Sequence, residues 1–129
     1  MSIDYPAHNK ELRELMGKFG KANPATMAGF AGLHKAASKP GALDTRTKEL
    51  MALAIGICVR CNGCIAFHIH DALGAGATRE EVLETIGVAV LMGGGPSMVY
   101  GVEALEALEQ FEAEEVGVVE SHSSEVNVK

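Results

Sequence analysis

Apolar residues recur along this chain at helical spacing almost throughout. Leu12, Leu15, Met16 and Phe19 fall at i, i+3, i+4 and i+7, behind a cap at Asn9 and ending at Gly20. Asn23-Pro24 reads as the cap and first position of a second helix carrying Met27, Phe30, Leu33 and His34, which Lys39-Pro40-Gly41 closes. Asp44 or Thr45 caps a third, whose run ELMALAIGIC is apolar nearly all round and predicts a central, buried helix. A fourth starts near Asn62 or Cys64 and carries Ile65, Phe67, Ile69 and Leu73 to a break at Gly74-Ala75-Gly76. Thr78-Arg79-Glu80-Glu81 is a capping box, with Val82, Leu83, Ile86, Ala89 and Val90 as the stripe behind it and Gly93-Gly94-Gly95-Pro96 as the stop. The last helix turns Val102, Leu105, Leu108 and Phe111 inward and Glu103, Glu106, Glu109 and Glu112 to solvent. From Val116 the period is lost. Residues 1–115 therefore read as one helical domain and 116–129 as a flexible or exchanged tail. No strand pattern and no repeat appear, so the expected fold is all-α, a single-domain bundle of about six helices.

Composition supports that reading. Of 129 residues 47% are hydrophobic but only 5% aromatic, with no Trp, a mixture that suits packed helices better than a β-sandwich. A net charge of −6 argues against a nucleic-acid partner, which selects a basic face. The charge is uneven: Glu80 to Val128 holds eleven carboxylates and no Lys or Arg, which reads as an acidic solvated surface. MSIDYPAHNKELREL has no apolar signal segment, and the longest apolar run, Leu50 to Val59, is too short to span a membrane. A cytoplasmic setting without a membrane partner is the expectation. Thiols there stay reduced unless they are catalytic, metal-bound or redox-sensing, which makes three Cys within seven residues informative.

Cys61-Asn62-Gly63-Cys64 sets two thiols three residues apart. At the start of a helix, unpaired N–H groups and the positive end of the helix dipole favour a thiolate. His68 follows Cys64 by four residues, on the same helical face, where an imidazole can take the thiol proton. His70 faces elsewhere. Glu49, on the helix read as most buried, can orient His68 or relay its proton through water. An acid near a helix N-terminus, three residues from Arg46, also has a purely structural reading. Cys58 extends the pattern to C-x2-C-x2-C-x3-H, a spacing that also suits an iron–sulfur or zinc site. Against this, it continues the apolar run AIGIC as a small core residue, and a cluster-binding run needs an irregular loop where the residues on both sides read as helix. A core position is the expectation for Cys58.

Glu49, eleven intervening residues and then Cys61-x-x-Cys64-x-x-x-His68 resembles the alkylhydroperoxidase D-like group of the carboxymuconolactone decarboxylase superfamily. The stretches TKELMALAIGICVRCNGCIAFHIHDALGAGATREEVLETI and LMGGGPSMVYG share the likeness, over about residues 43–110. The resemblance implies an all-helical fold assembled as a homo-trimer or hexamer. It implies a proton relay from Glu49 through His68 to Cys64, attack by Cys64 on a peroxide, and resolution by Cys61 to a Cys61–Cys64 disulfide. A lipoyl-type or other dithiol electron donor then restores the thiols, or a disulfide is the substrate, with no cofactor and no metal. The group's peroxidases carry an extra His between the two Cys, where this chain has Gly63, so disulfide exchange is better supported than peroxide turnover. The other readings are a lactone decarboxylase, which has no use for a C-x-x-C, and a non-enzymatic redox sensor or metal-binding protein.

Overall fold

A computed structural model describes residues 3–127, with side chains as far as Glu115. Its described residues form one all-α domain of six helices: α1 (Tyr5–Ala22), α2 (Pro24–Ser38), α3 (Thr45–Cys58), α4 (Asn62–Gly74), α5 (Arg79–Gly93) and α6 (Gly95–Asn127). None of them is long and apolar enough to cross a membrane.

Most helix starts follow local chemistry. Asn23 accepts from the Thr26 N–H, with Pro24 in the first turn, and Asp44 accepts from the Thr47 N–H at 2.7 Å. Contacts with Thr47 also hold the Asp44 carboxyl below the usual carboxylate range. At Thr78 both halves of the capping box form. Helix α1 departs from expectation. Its cap is Asp4, which accepts from the Ala7 N–H, while Asn9 lies inside the helix and is buried. Pro6 in the first turn fixes this earlier start, because its missing N–H costs nothing there.

The α3–α4 hairpin is the centre of the fold. Helix α5 packs on α3 and α6, α1 packs on α2, α4 and α6, and α2 sits at the edge with no buried residue. Leu53 and Ile57 of α3 and Ile65 and Ile69 of α4 are fully buried, each contributing about 1.5–3 kcal/mol. Helix α3 is less enclosed than its apolar run suggests, since Met51 and Ile55 are exposed. In α6 the buried positions are Ser97, Gly101, Ala104, Ala107, Leu108 and Phe111, while Val102 is exposed and Glu103 has a buried, unpartnered Oε2. Small residues won these places because α6 lies close to its neighbours: a Cβ on Gly101 would stand 2.9 Å from Ile86 Cγ2. Leu15, Phe19, Phe30 and Leu33 of α1 and α2 are also exposed. The backbone of α6 stays helical to Asn127, past the point where the hydrophobic period ends. The expected flexible tail, 116–129, otherwise falls outside the described side chains and residues.

Cys58 is exposed and not in the core. It is the last residue of α3, where the helix meets the α5–α6 corner; its Sγ lies 3.5 Å from the Ala89 carbonyl and 3.6 Å from Ser97 Oγ. A Cβ on Gly93 would stand 1.8 Å from Ser97 Oγ, 2.7 Å from Ser97 Cβ and 3.3 Å from Cys58 Sγ. Gly93→Ala is expected to destabilise the fold by about 1–3 kcal/mol, read as a lower urea midpoint at unchanged slope. An unchanged midpoint would mean that the corner is not closely packed.

Candidate active site

The turn between α3 and α4 builds the site. Val59 is the C-cap of α3, and Arg60 adopts the left-handed region at φ 61°. The Arg60 N–H donates to the Ile57 carbonyl and the Cys61 N–H to that of Gly56, the two bonds of a Schellman motif. Cys61 thereby ends one helix and caps the next: its Sγ accepts the Cys64 N–H at 3.1 Å. Cys61 and Cys64 are joined as a disulfide with Cα atoms 5.2 Å apart. Gly56 makes room behind them, since a Cβ there would lie 3.2 Å from Cys64 Cβ.

On the neighbouring turns, His68 Nδ1 and Glu49 Oε2 are 2.7 Å apart. Glu49 is buried at 5% exposure, while the His68 side chain is 23% exposed. With Nδ1–H donating to the carboxylate, Nε2 is the ring's free nitrogen, as in sites where a carboxylate orients a general base. Arg46 does not pair with Glu49. It reaches Glu81 at 3.0 Å and Asp44 at 3.6 Å, so His68 is the partner of the buried acid. His70 faces away, with Nδ1 2.8 Å from Asp71 Oδ1, which Arg13 also reaches at 2.9 Å.

Cys58 Sγ, turned to Ala89 and Ser97, does not join Cys61, Cys64 and His68 in a ligand set. Among the described residues, His34, Glu49 and Asp71 do bring ligand atoms within 4.8 Å of one another. Glu49 is already held by His68, and Asp71 by Arg13 and His70. These contacts make the cluster a charge network in its own right.

Sequence reasoning missed the contribution of α1. Tyr5 is 1% exposed; its N–H donates to Gln110 Oε1 at 2.7 Å and its hydroxyl donates to Asn62 Oδ1 at 3.3 Å. The Asp4-Tyr5-Pro6 start of α1 was the local signal for its position, but nothing local points to Asn62, 57 residues on.

The sequence matches the carboxymuconolactone decarboxylase family over residues 24–107. The chain belongs to this family. A relative from Cupriavidus necator is 38% identical over 105 residues, 81% of this chain and 93% of its own. A solved family protein from Legionella pneumophila is 50% identical with a TM-score of 0.80, over 83% of this chain and 96% of that one. Another from Thermotoga maritima, with a suggested involvement in an antioxidative response, is 29% identical with a TM-score of 0.77, over 84% and 93%. The family match begins after α1, so Tyr5 lies outside it.

Burial, then the negative Glu103 and Glu106 carboxylates and Tyr100, push the Tyr5 phenol up to about 12 from 10.0. Folding thus favours the neutral phenol. The stability this contributes is complete below pH 10 and is lost as pH rises through about 12. Thermal melts between these values should fall steeply for the native protein. Tyr5→Phe should start lower, by about 0.5–1.5 kcal/mol for the lost hydrogen bond, and fall less. Equal slopes would remove Tyr5 as the source.

Proposed function

We propose that this family member is a thiol-dependent oxidoreductase of the alkylhydroperoxidase D-like kind, cycling Cys61 and Cys64 between dithiol and disulfide. The observation that carries this reading is the Glu49–His68 hydrogen bond of 2.7 Å one helical turn from a cysteine pair already within bonding distance. The cysteine pair has no evident use in the decarboxylation for which the family is named.

With a peroxide, the Cys64 thiolate attacks the terminal oxygen. The O–O bond breaks, the alcohol leaves with a proton relayed through His68, and Cys64 becomes a sulfenic acid. The Cys61 thiolate then displaces water to form the disulfide. A dithiol donor, lipoyl-type or other, returns two electrons and two protons and becomes a disulfide itself. When another disulfide is the substrate, the dithiol form passes it the same two electrons. Exchange of this second kind is favoured by the surroundings of Gly63. A Cβ there would lie 2.8 Å from Leu12 Cδ1, so a histidine between the thiols would have to displace the Leu12 side chain that now covers the turn.

The test follows free thiols in reduced protein on addition of a hydroperoxide or a disulfide such as lipoamide. Two thiols should vanish together, and Cys64→Ser should abolish the reaction. His68→Gln, which can still donate to Glu49 but carries no proton between partners, should slow it roughly 10²–10⁴-fold. Turnover that survives Cys64→Ser would sink the proposal. Assembly as a trimer or hexamer belongs to the same reading and would cover exposed Leu15, Phe19, Phe30 and Leu33. Light scattering should then give three or six times 13.5 kDa, and a monomer mass would refute it.

A further inference from the structure

One face of α1 lies along the two residues that separate the thiols. Tyr5, His8 and Leu12 stand at i, i+3 and i+7, on one side of the helix. The Tyr5 hydroxyl donates to Asn62 Oδ1 at 3.3 Å. Over the next residue, Leu12 Cδ1 stands 2.8 Å and His8 Nε2 3.9 Å from the point a Cβ on Gly63 would take. Tyr5 is fixed at both ends, since its own N–H donates to Gln110 of α6. The imidazole of His8, itself half-buried, is therefore held beside the Cys61–Cys64 turn by the same helix that grips Asn62.

The two sulfurs are not equally served by their own helices. Cys64 has His68 one turn along α4. Cys61 has Ile57, Cys58, Cys64 and Ile65 at the positions three and four residues away, none of which is a proton carrier of that kind. It has instead the Cys64 N–H at 3.1 Å, which stabilises an anion on Cys61 Sγ without supplying a proton.

We propose that His8, seated by the Tyr5–Asn62 bond, is a second acid–base group of the redox site, giving a proton to Cys61 as its sulfur leaves the disulfide and taking one from it when the disulfide re-forms. This rests on the redox reading above. In the reductive half, a thiolate of an external dithiol attacks Cys64 Sγ. The Cys61–Cys64 bond breaks, and Cys61 Sγ leaves with the electron pair and takes the proton from His8. The donor's second thiol loses its proton to His68 and attacks the donor's own sulfur in the mixed disulfide, releasing Cys64, which takes that proton. The donor ends as a disulfide, two electrons poorer, and the protein as two thiols. Solvent returns the proton to His8.

The experiment follows reduction of the oxidised protein by dithiothreitol, by trapping free thiols at intervals. His8→Ala should be reduced at least about tenfold more slowly than the native protein, with added imidazole restoring much of the rate to that variant only. His8→Gln, which keeps bulk but carries no proton, should be as slow and stay slow with imidazole; it carries the comparison if His8→Ala fails to fold by circular dichroism. A rate for either variant within twofold of the native one overturns the proposal, and so does a slowing of His8→Ala that imidazole leaves untouched. Failure of the redox reading looks different. The native protein then forms no reversible Cys61–Cys64 disulfide whatever stands at position 8, and that result removes the role of His8 as well.

Discussion

The Cys61 N–H donates to the Gly56 carbonyl at 3.0 Å, and with that bond the chain turns from α3 into α4. Only Val59, Arg60 and Cys61 lie between the two helices, so α3 and α4 must pack directly against each other. The reversal requires Arg60 at φ 61°, where a side chain costs on the order of 1–2 kcal/mol, and the interlock of Gly56 with Cys64 holds it there. Position and chemistry come from the same turn. It fixes Cys61 as both the end of one helix and the cap of the next, and it sets the level at which Glu49 of α3 meets His68 of α4.

The Glu49–His68 bond then has two consequences that cannot be separated. A carboxylate at 5% exposure is tolerated only with a partner, because an unpaired buried charge costs several kcal/mol. Arg46, the nearest cation in sequence, is occupied by Glu81 and Asp44, which leaves His68. The bond that makes Glu49 affordable also fixes the orientation of the imidazole and keeps its second nitrogen unclaimed. A site built this way resists drift, since loosening the histidine strands a buried acid.

How much of this was legible depends on the range of the interactions. Asn23-Pro24, Asp44 and Thr78 announce helix starts through contacts three residues long, and all three cap the helices expected of them. Cys61, Cys64 and His68 are equally local, within two turns of one helix, so their spacing was readable; Glu49 needed the family resemblance. The failures have causes of their own. Asn9 competed with Asp4 as a cap, and the cost-free Pro6 decided it. In α6 the large residues suggested one face, but closeness of neighbouring helices selected Ala104 and Ala107 for the inside and left Val102 outside. Cys58 continues an apolar run yet emerges at a helix end. Packing distance sets the outcome in α6, and it is not written in hydrophobicity.

Position 63 is where the chain's own character meets the family's. A side chain there and the Leu12 side chain in its present place exclude each other, because Leu12 Cδ1 lies 2.8 Å from where a Cβ would start. A glycine between the thiols is thus the counterpart of an N-terminal helix packed over them. The gain is a turn gripped from outside, through Tyr5 on Asn62, and shielded by an apolar side chain. The loss is any imidazole at position 63 itself. If the pair has a second proton carrier, the covering helix offers one, since the titratable residue on that face between Tyr5 and Leu12 is His8.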